Sequence, residues 1–205
     1  MYIPKQYLME GKQAKVDFIR RNSFGIMFSK HGDVPLATHT PFIYSEEAGG
    51  NDLLFGHMSR ANPQWEDLES QKVVVVFQGP HAYVSPSWYV EINQVPTWNY
   101  IAVHVTGKVK LLDAEKTREI VSSLLDFYRS DANITGHLKE EPFLSQLRKI
   151  VGFQIIVERL EGAIKLNQNK SRQSRLNVAE KLLVSENPVT RELGRVMKKT
   201  ISPEN

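Results

Sequence analysis

The feature that most restricts the fold is a series of short apolar segments, separated by turn residues, that begins at residue 24. The segments alternate apolar and polar residues or are rich in β-branched residues, as β-strands are. The connections are too short for the helical crossovers that parallel strands need. The sequence therefore predicts a mainly β fold with helices (α+β), built on an antiparallel barrel. The predicted strands are 24–29, 34–44, 53–58, 72–79, 81–85, 98–113 and 153–162.

The sequence also predicts where one strand ends, where the helices begin and how the chain divides into domains. We expect Gly79-Pro80 to end one strand before the next begins. Asp113 is a typical N-cap, and apolar residues follow it at helical spacing. Asn187 followed by Pro188 is typical of a helix start. The chain then divides into a barrel with inserted helices over 1–164 and a basic helical extension over 165–205. The predicted helices are 9–21, a helix after Asp113, 142–150, 172–184 and 188–199.

Composition excludes several kinds of site. The 205 residues include no cysteine, which excludes disulfides and cysteine-ligated metals. His39, His57, His81 and His104 lack metal-ligand spacing and an accompanying carboxylate cluster, so no metal site is predicted. No G-x-S-x-G elbow is present, and no catalytic nucleophile is predicted. The N-terminus lacks an apolar signal segment and no apolar run could span a membrane, so we expect a cytoplasmic location.

Positive charge is concentrated at the C-terminal end. From Lys165 onward the chain has nine Lys and Arg against four Glu, a net charge of +5, whereas residues 1–164 carry −2. Such an extension can contact nucleic acid, and promoter DNA is the predicted partner. The alternative is a solvated helix face without a partner. The connection between the last two helices is too long and too polar for a helix-turn-helix.

Two polar segments are candidates for a ligand site. In "ATHTPF" (37–42), Thr38 and His39 lie on opposite faces of a strand that could hydrogen-bond a planar heterocycle, or simply be exposed. In "GHMSRANPQW" (56–65), hydroxyl, guanidinium and amide donors around a tight turn suit a phosphate. The alternative for this second segment is a capping turn with a solvent-facing arginine. Its donor residues are His57, Ser59, Arg60 and Asn62.

Aromatic residues mark a second pair of segments, "HAYVSPSWY" (81–89) and "VPTWNY" (95–100). Trp98 and Tyr100 share one face of a strand and can stack on a ligand or a second subunit, while Asn99 points the other way. Packing alone is the alternative, since these aromatics are common at interfaces. "KLNQNK" (165–170) follows the last strand and is either a lid over a ligand or a linker.

Together, "GHMSRANPQW", "FQGPHAYVSPSWY", "VPTWNYIAVHVTGKV" and "KLNQNKS" closely resemble the PaiB family of FMN-binding negative transcriptional regulators. The resemblance extends from residue 1 to at least Asn169. It implies a split β-barrel related to the pyridoxamine-phosphate-oxidase-like flavoproteins, usually a homodimer with FMN at the subunit seam. It also implies repression of sporulation and of degradative-enzyme (protease) synthesis.

Carried over by position, the resemblance assigns the phosphate, the flavin ring and the walls of the site to separate segments. Two positions depart from the family pattern. Ser59 stands at the small-residue position of GHxARANPQW and keeps or adds a hydroxyl there. Asn167 replaces the serine of KxSQN, which puts one rim contact in doubt. The implied FMN-binding residues are, for the phosphate, His57, Ser59, Arg60 and Asn62; for the ring, Thr38, His39 and Pro41; for the walls, Trp88, Trp98, Asn99 and Tyr100; and for closure, Lys165 and Gln168.

Three functions follow as hypotheses. The first is a dimeric FMN-binding repressor. The second is an FMN-dependent oxidoreductase of the same superfamily, for which His39 is the one proton-transfer group beside the ring that we would name. The third is a haem-binding relative of the barrel that uses a histidine.

Overall fold

The computed structural model describes residues 1–47, 50–128 and 140–201. Its six strands form a closed antiparallel barrel in the order β1-β2-β3-β6-β5-β4. The predicted fold class is therefore confirmed. The strands are β1 (Phe24–His31), β2 (Val34–Glu46), β3 (Asp52–Ser59), β4 (Lys72–Val84), β5 (Thr97–Leu111) and β6 (Ile150–Lys165). The α-helices within the described residues are α1 (Lys12–Arg21), α2 (Ala114–Phe127), α3 (Glu141–Leu147), α4 (Arg172–Leu183) and α5 (Pro188–Ile201).

The chain forms two compact units, which we describe separately. The first, the terminal unit, comprises Met1–Lys15, Gln78–Val103 and Glu161–Asn205. The second, the hairpin unit, comprises Val16–Phe77 and His104–Leu160 and contains the whole of β1, β2 and β3. The predicted domain boundary at residue 164 stays a prediction.

The hairpin unit is built around aromatic rings. Phe42 meets Phe77 and Phe153 edge to face, with ring centroids 5.5 and 6.2 Å apart. Gly25 and Gly56 make room for these rings, because a Cβ at either position would lie 2.8 Å from a phenyl carbon. Alternate residues of β1 and β2 face this core, as the predicted period of two requires.

Helix α2 begins where the sequence predicts. The Asp113 side chain accepts a hydrogen bond of 2.8 Å from the backbone N–H of Lys116 and so caps the helix. Ile120 and Leu124 are buried, as predicted from their spacing. The helix lies close against β6, since a Cβ at Gly152 would be 2.5 Å from Thr117 Oγ1.

One predicted strand break is wrong. β4 runs without interruption from Lys72 to Val84 and passes through Gly79-Pro80. Its buried residues alternate up to Phe77, and the alternation resumes at Ala82, shifted by one residue. The dipeptide therefore changes which side chains face inward without ending the strand, because Pro removes a donor but keeps an extended φ.

In the terminal unit, α4 and α5 pack against each other and each has a polar start. Ser171 Oγ accepts from the N–H of Ser174 at α4. Asn187 Oδ1 accepts from the N–H groups of Val189 and Thr190 at α5, as predicted. Arg191 donates to the backbone carbonyls of Ser185 and Glu186, in the loop that joins α4 to α5.

Candidate functional site

The predicted site residues fall into two groups, one in each compact unit. The hairpin unit holds Thr38, His39, Pro41, His57, Ser59, Arg60 and Asn62. The terminal unit holds Trp88, Trp98, Asn99, Tyr100, Lys165 and Gln168. The assignment of these residues to FMN stays a prediction.

Thr38 and Asn62 are tied together by a residue that sequence reasoning missed, Gln64. Gln64 is fully buried in the short 3₁₀ helix Pro63–Asp67. Its amide donates to Ser29 Oγ at 2.7 Å, and its carbonyl oxygen accepts from Thr38 Oγ1. Asn62 donates to Thr38 Oγ1 at 2.8 Å and accepts from the N–H of Gln64 at 3.0 Å. The polar groups of Thr38 and Asn62 therefore hold the turn between β3 and the 3₁₀ helix Pro63–Asp67 against the β1–β2 hairpin.

His57 lies beneath helix α2. It pairs in register with Gly152 on β6, and the residue of α2 nearest Gly152 is Thr117. Cross-strand partners share a face, so the imidazole faces the helix. Burial lowers the pKa of His57 from its usual value, which keeps the ring neutral. Nδ1 is buried and has no hydrogen-bond partner within the described residues.

Ser59 and Arg60 stand at the end of β3, where both are exposed. Arg60 donates from Nε to the carbonyl of Arg148 at 3.2 Å and from Nη2 to that of Ile150 at 3.3 Å. Its guanidinium also lies 5.4 Å from the centre of the Trp65 ring. Ser59 Oγ accepts from the N–H of Ala61, which leaves its hydroxyl hydrogen available to a ligand.

His39 and Pro41 face outward from β2. His39 is exposed, and its ring stacks on Phe24 of β1 with centroids 6.1 Å apart. Phe24 is 63% exposed although it is a large apolar residue. Pro41 is the register partner of Phe24 and extends the same surface. We call this surface, formed by Phe24, Phe28, His39 and Pro41, the hairpin face.

A cavity of about 730 Å³ lies in the hairpin unit beside Arg60. Its walls come from β6, from the start of α2 and from α3. Guanidinium groups and one carboxylate stand around an apolar floor. The lining residues are Arg60, Leu112, Ala114, Glu115, Thr117, Arg118, Leu144, Leu147, Arg148 and Ile150.

In the terminal unit, Trp98 and Asn99 follow the predicted alternation. Trp98 is 55% exposed and lies beside two residues of β4, with centroids 6.1 Å from the His81 ring and 6.5 Å from the Tyr83 ring. Asn99 is fully buried and donates to Met197 Sδ of α5 at 3.5 Å. Its Oδ1 has no partner within the described residues. Trp98 is thus open to a ligand or partner, whereas Asn99 faces the unit's interior.

Trp88 and Tyr100 are both half-buried. Trp88 closes the short 3₁₀ helix Pro86–Trp88, whose N-cap is Ser85. Tyr100 stands two residues after Trp98 on β5, so both rings are on the same strand face.

The "KLNQNK" segment is held by its own hydrogen bonds. Lys165 donates to Thr97 Oγ1 at 2.6 Å. Gln168 bridges the backbone, accepting from the N–H of Leu166 at 2.7 Å and donating to the carbonyl of Ile164 at 2.6 Å. The departure at Asn167 has a structural reason. This residue has a φ of +59°, which asparagine tolerates well, and its buried amide donates to Tyr89 Oη at 3.0 Å.

A second missed residue is Glu91, which anchors the segment between β4 and β5. Its carboxylate accepts from the N–H of Ser171 at 3.2 Å and from the hydroxyl of Ser174 at the start of α4. The hydrogen bonds from Ser171 and Ser174 lower the pKa of Glu91 to about 2. No local sequence pattern pairs residue 91 with residues 171 and 174, so only the fold reveals this contact.

Comparison with known proteins decides the family. A family sequence model described as "Putative FMN-binding domain" matches residues 1–159. The chain belongs to this FMN-binding family. It is also 37% identical to Protease synthase and sporulation protein PAI 2 of Bacillus subtilis, over 96% of both chains. The predicted membership of the PaiB family is thus confirmed, and FMN is the cofactor of the family, as predicted.

Solved structures agree on the fold. The flavocytochrome Anf3 from Azotobacter vinelandii matches with a TM-score of 0.55 and 15% identity, over 76% of this chain and 68% of that one. The FAD and heme binding protein from Mycobacterium smegmatis matches with a TM-score of 0.53 and 14% identity, over 76% and 71%. At these identities the likeness concerns the fold alone. The oxidoreductase and haem hypotheses stay predictions.

The described residues contain no helix able to cross a membrane. They also contain no cluster of three or more metal-ligating side chains. Within the same residues, the donors at the end of β3 fit the phosphate of FMN. The guanidinium of Arg60 keeps N–H donors at Nη1, and the Ser59 hydroxyl stands next to it.

Proposed function

We propose that this protein is an FMN-binding transcriptional regulator that represses sporulation and the synthesis of degradative enzymes such as proteases. One observation carries the proposal: the match over 96% of both chains to a relative whose name refers to protease synthesis and sporulation. The FMN-binding family of residues 1–159 supports the cofactor. The proposal includes a homodimer and direct contact with promoter DNA.

In this proposal Ser59 and Arg60 bind the FMN phosphate. A guanidinium and a hydroxyl are strong donors to an anionic oxygen, and both are exposed at a strand end. Asn62 acts indirectly, because its hydrogen bonds with Thr38 and Gln64 hold the turn that presents them. His57 supports the same strand from beneath α2 as a neutral ring.

The ring of FMN lies along the outward side of β2 in this proposal. His39 and Pro41 offer a planar imidazole and an apolar ring on that side. A second copy of the chain supplies the wall through Trp98 and Tyr100. Trp88, Asn99, Lys165 and Gln168 hold that wall in shape. FMN supplies redox chemistry when bound, and the chain's part is to bind and orient it.

A flavin titration tests this proposal. We expect the purified protein to quench FMN fluorescence saturably, with one FMN per chain. Arg60→Gln should weaken FMN binding at least ten-fold, since charge-assisted hydrogen bonds to the phosphate are lost. Arg195→Gln is the matched control, because Arg195 is an exposed arginine paired with Glu192 at 2.8 Å.

Because Arg60 also bonds two backbone carbonyls, the thermal midpoint of each variant is measured alongside. Ser59→Ala provides a second variant that leaves those carbonyl contacts intact, and we expect it to weaken FMN several-fold. Equal affinity for FMN in wild type, Ser59→Ala and Arg60→Gln would contradict the phosphate assignment. Absence of any saturable quenching would contradict the cofactor.

A further inference from the structure

We propose that the cavity beside Arg60 is a binding site for a small amphipathic monoanion, an aliphatic or aryl body that carries one carboxylate. We call it the α2–α3 cavity, after the two helices that wall it. This inference concerns a ligand other than the flavin. It does not depend on the proposed regulatory role.

The size and floor of the α2–α3 cavity suit an apolar body. Its volume of about 730 Å³ is within the usual range for small-molecule sites. The floor is made by aliphatic side chains from a strand end and two helices. Half of the described lining residues are apolar, namely Leu112, Ala114, Leu144, Leu147 and Ile150.

The charges around the α2–α3 cavity favour a single negative charge. Arg148 is compensated, because its Nη2 donates to Glu141 Oε1 at 2.7 Å. Arg60 directs Nε and Nη2 to carbonyls, which carry no net charge, and so keeps its full positive charge. Arg118 adds a second positive charge, and the carboxylate of Glu115 offsets one of the two. Among the described lining residues, the balance is one uncompensated positive charge beside the apolar floor.

Arg118 is the residue that the observations single out. It is half-buried at the cavity wall, on the second turn of α2. No residue in the described part of the chain forms a hydrogen bond or ion pair with it. A half-buried guanidinium whose five donors have no partner among the described residues, beside apolar surface, matches a carboxylate head group on an apolar body.

Calorimetric titration with 4-phenylbutyrate and with the neutral alcohol 4-phenylbutanol tests the inference. We expect one phenylbutyrate per chain, and at least ten-fold weaker binding of the alcohol. Arg118→Gln should weaken phenylbutyrate at least ten-fold and leave the alcohol unchanged, because only the charged contact is removed. Arg195→Gln, an exposed arginine outside the cavity, should change neither.

A second variant tests the floor. Leu144→Asp places a carboxylate among the floor residues, and since Leu144 is only half-buried the variant should keep its circular dichroism spectrum. It should abolish binding of both probes. Titrations of FMN-loaded protein separate this site from the flavin site. We expect one phenylbutyrate per chain still to bind through Arg118, with lower affinity, because the FMN phosphate neutralises the charge of Arg60.

Three results would overturn the inference. The first is no saturable heat with phenylbutyrate at millimolar concentration. The second is equal binding of acid and alcohol, or no effect of Arg118→Gln. The third is complete exclusion of phenylbutyrate by saturating FMN, which would make the cavity part of the flavin site while leaving the proposed function intact.

Discussion

At the residue scale, Gln64 shows how a single buried amide shapes the candidate site. It contacts β1 through Ser29 and β2 through Thr38, and its own N–H is bound by Asn62. The sequence predicts that Arg60 and Asn62, in the same segment, are the ligand-binding residues. In the structure, Gln64 holds the turn that follows β3, and Ser59 and Arg60 are exposed at the start of this turn.

Gln64→Ala should lower the free energy of unfolding by about 2–3 kcal/mol, because it leaves the buried partners Ser29 and Thr38 without their hydrogen bonds. Urea denaturation measures this change. Gln173→Ala, an exposed glutamine on α4, is the control and should change stability by only a few tenths of a kcal/mol. Equal effects of the two variants would show that the Gln64 network contributes nothing.

At the element scale, the segment between β4 and β5 is held at the start of α4 by Glu91. The carboxylate adds to the Ser171 cap by accepting from the N–H of Ser171 and the hydroxyl of Ser174, at a helix start that favours negative charge. The folded pKa of Glu91, about 2, lies below its usual value of 4.5. A depressed carboxyl pKa stabilises the folded contact above pH 4.5, and this contribution is lost as the pH falls toward 2.

We therefore expect wild-type protein to loosen at this segment between pH 4.5 and 2. Glu91→Gln should be loosened already at pH 7 and should lack that pH dependence. Hydrogen exchange of the amides of 86–96 follows the change. Glu180→Gln is the control, because Glu180 is an exposed glutamate on α4. An unchanged exchange profile in Glu91→Gln would contradict the anchoring role.

At the scale of the whole molecule, the hairpin face is the strongest candidate for a subunit seam. Phe24 and Phe28 are 63% and 42% exposed, and both point outward from β1. Exposed aromatic residues that share one sheet face are typical of interfaces.

Sedimentation should give a particle of twice the 23.4 kDa chain mass. Phe28→Asp should shift it to the monomer, because a charge at the seam is desolvated without a partner. Val184→Asp is the control, since Val184 is more exposed and belongs to the other unit. A wild-type monomer, or a dimer unaffected by Phe28→Asp, would contradict this seam.

Direct DNA binding would depend on the cations of the C-terminal extension that have no partner in the described part of the chain. Several cations of the C-terminal extension already have partners: Lys165 bonds Thr97, Lys170 bonds Gln94, and Arg191 bonds the carbonyls of Ser185 and Glu186. Three others, Arg172, Lys181 and Lys199, are exposed and make no hydrogen bond or ion pair within the described residues.

A gel shift on promoters of protease genes should therefore show binding whose log affinity falls with log salt at a slope of about −3 per chain. Replacing the three exposed cations by glutamine should flatten the slope, whereas Arg195→Gln should leave it unchanged. Absence of a complex at low salt would refute direct binding.

Patterns of period two and 3.6, caps and turn residues made most elements predictable. β1, β2 and β3, the Asp113 cap and the Asn187 cap stand where the sequence indicates them. The opposite directions of Trp98 and Asn99 also follow from alternation alone. Local patterns could not predict that β4 continues through Gly79-Pro80, because this continuity depends on neighbouring strands as well as on the dipeptide.

The sequence by itself determined the fold class, the family and the chemical character of the candidate residues, because these depend on local periodicity and on residue types in a characteristic order. Only the tertiary structure decided which of those residues are available to a ligand. Thr38 and Asn62 are bound to Gln64, His57 is covered by α2, and Asn99 faces inward, since each meets partners far away in sequence. Such long-range pairings fix burial and hydrogen bonding, and no local pattern encodes them.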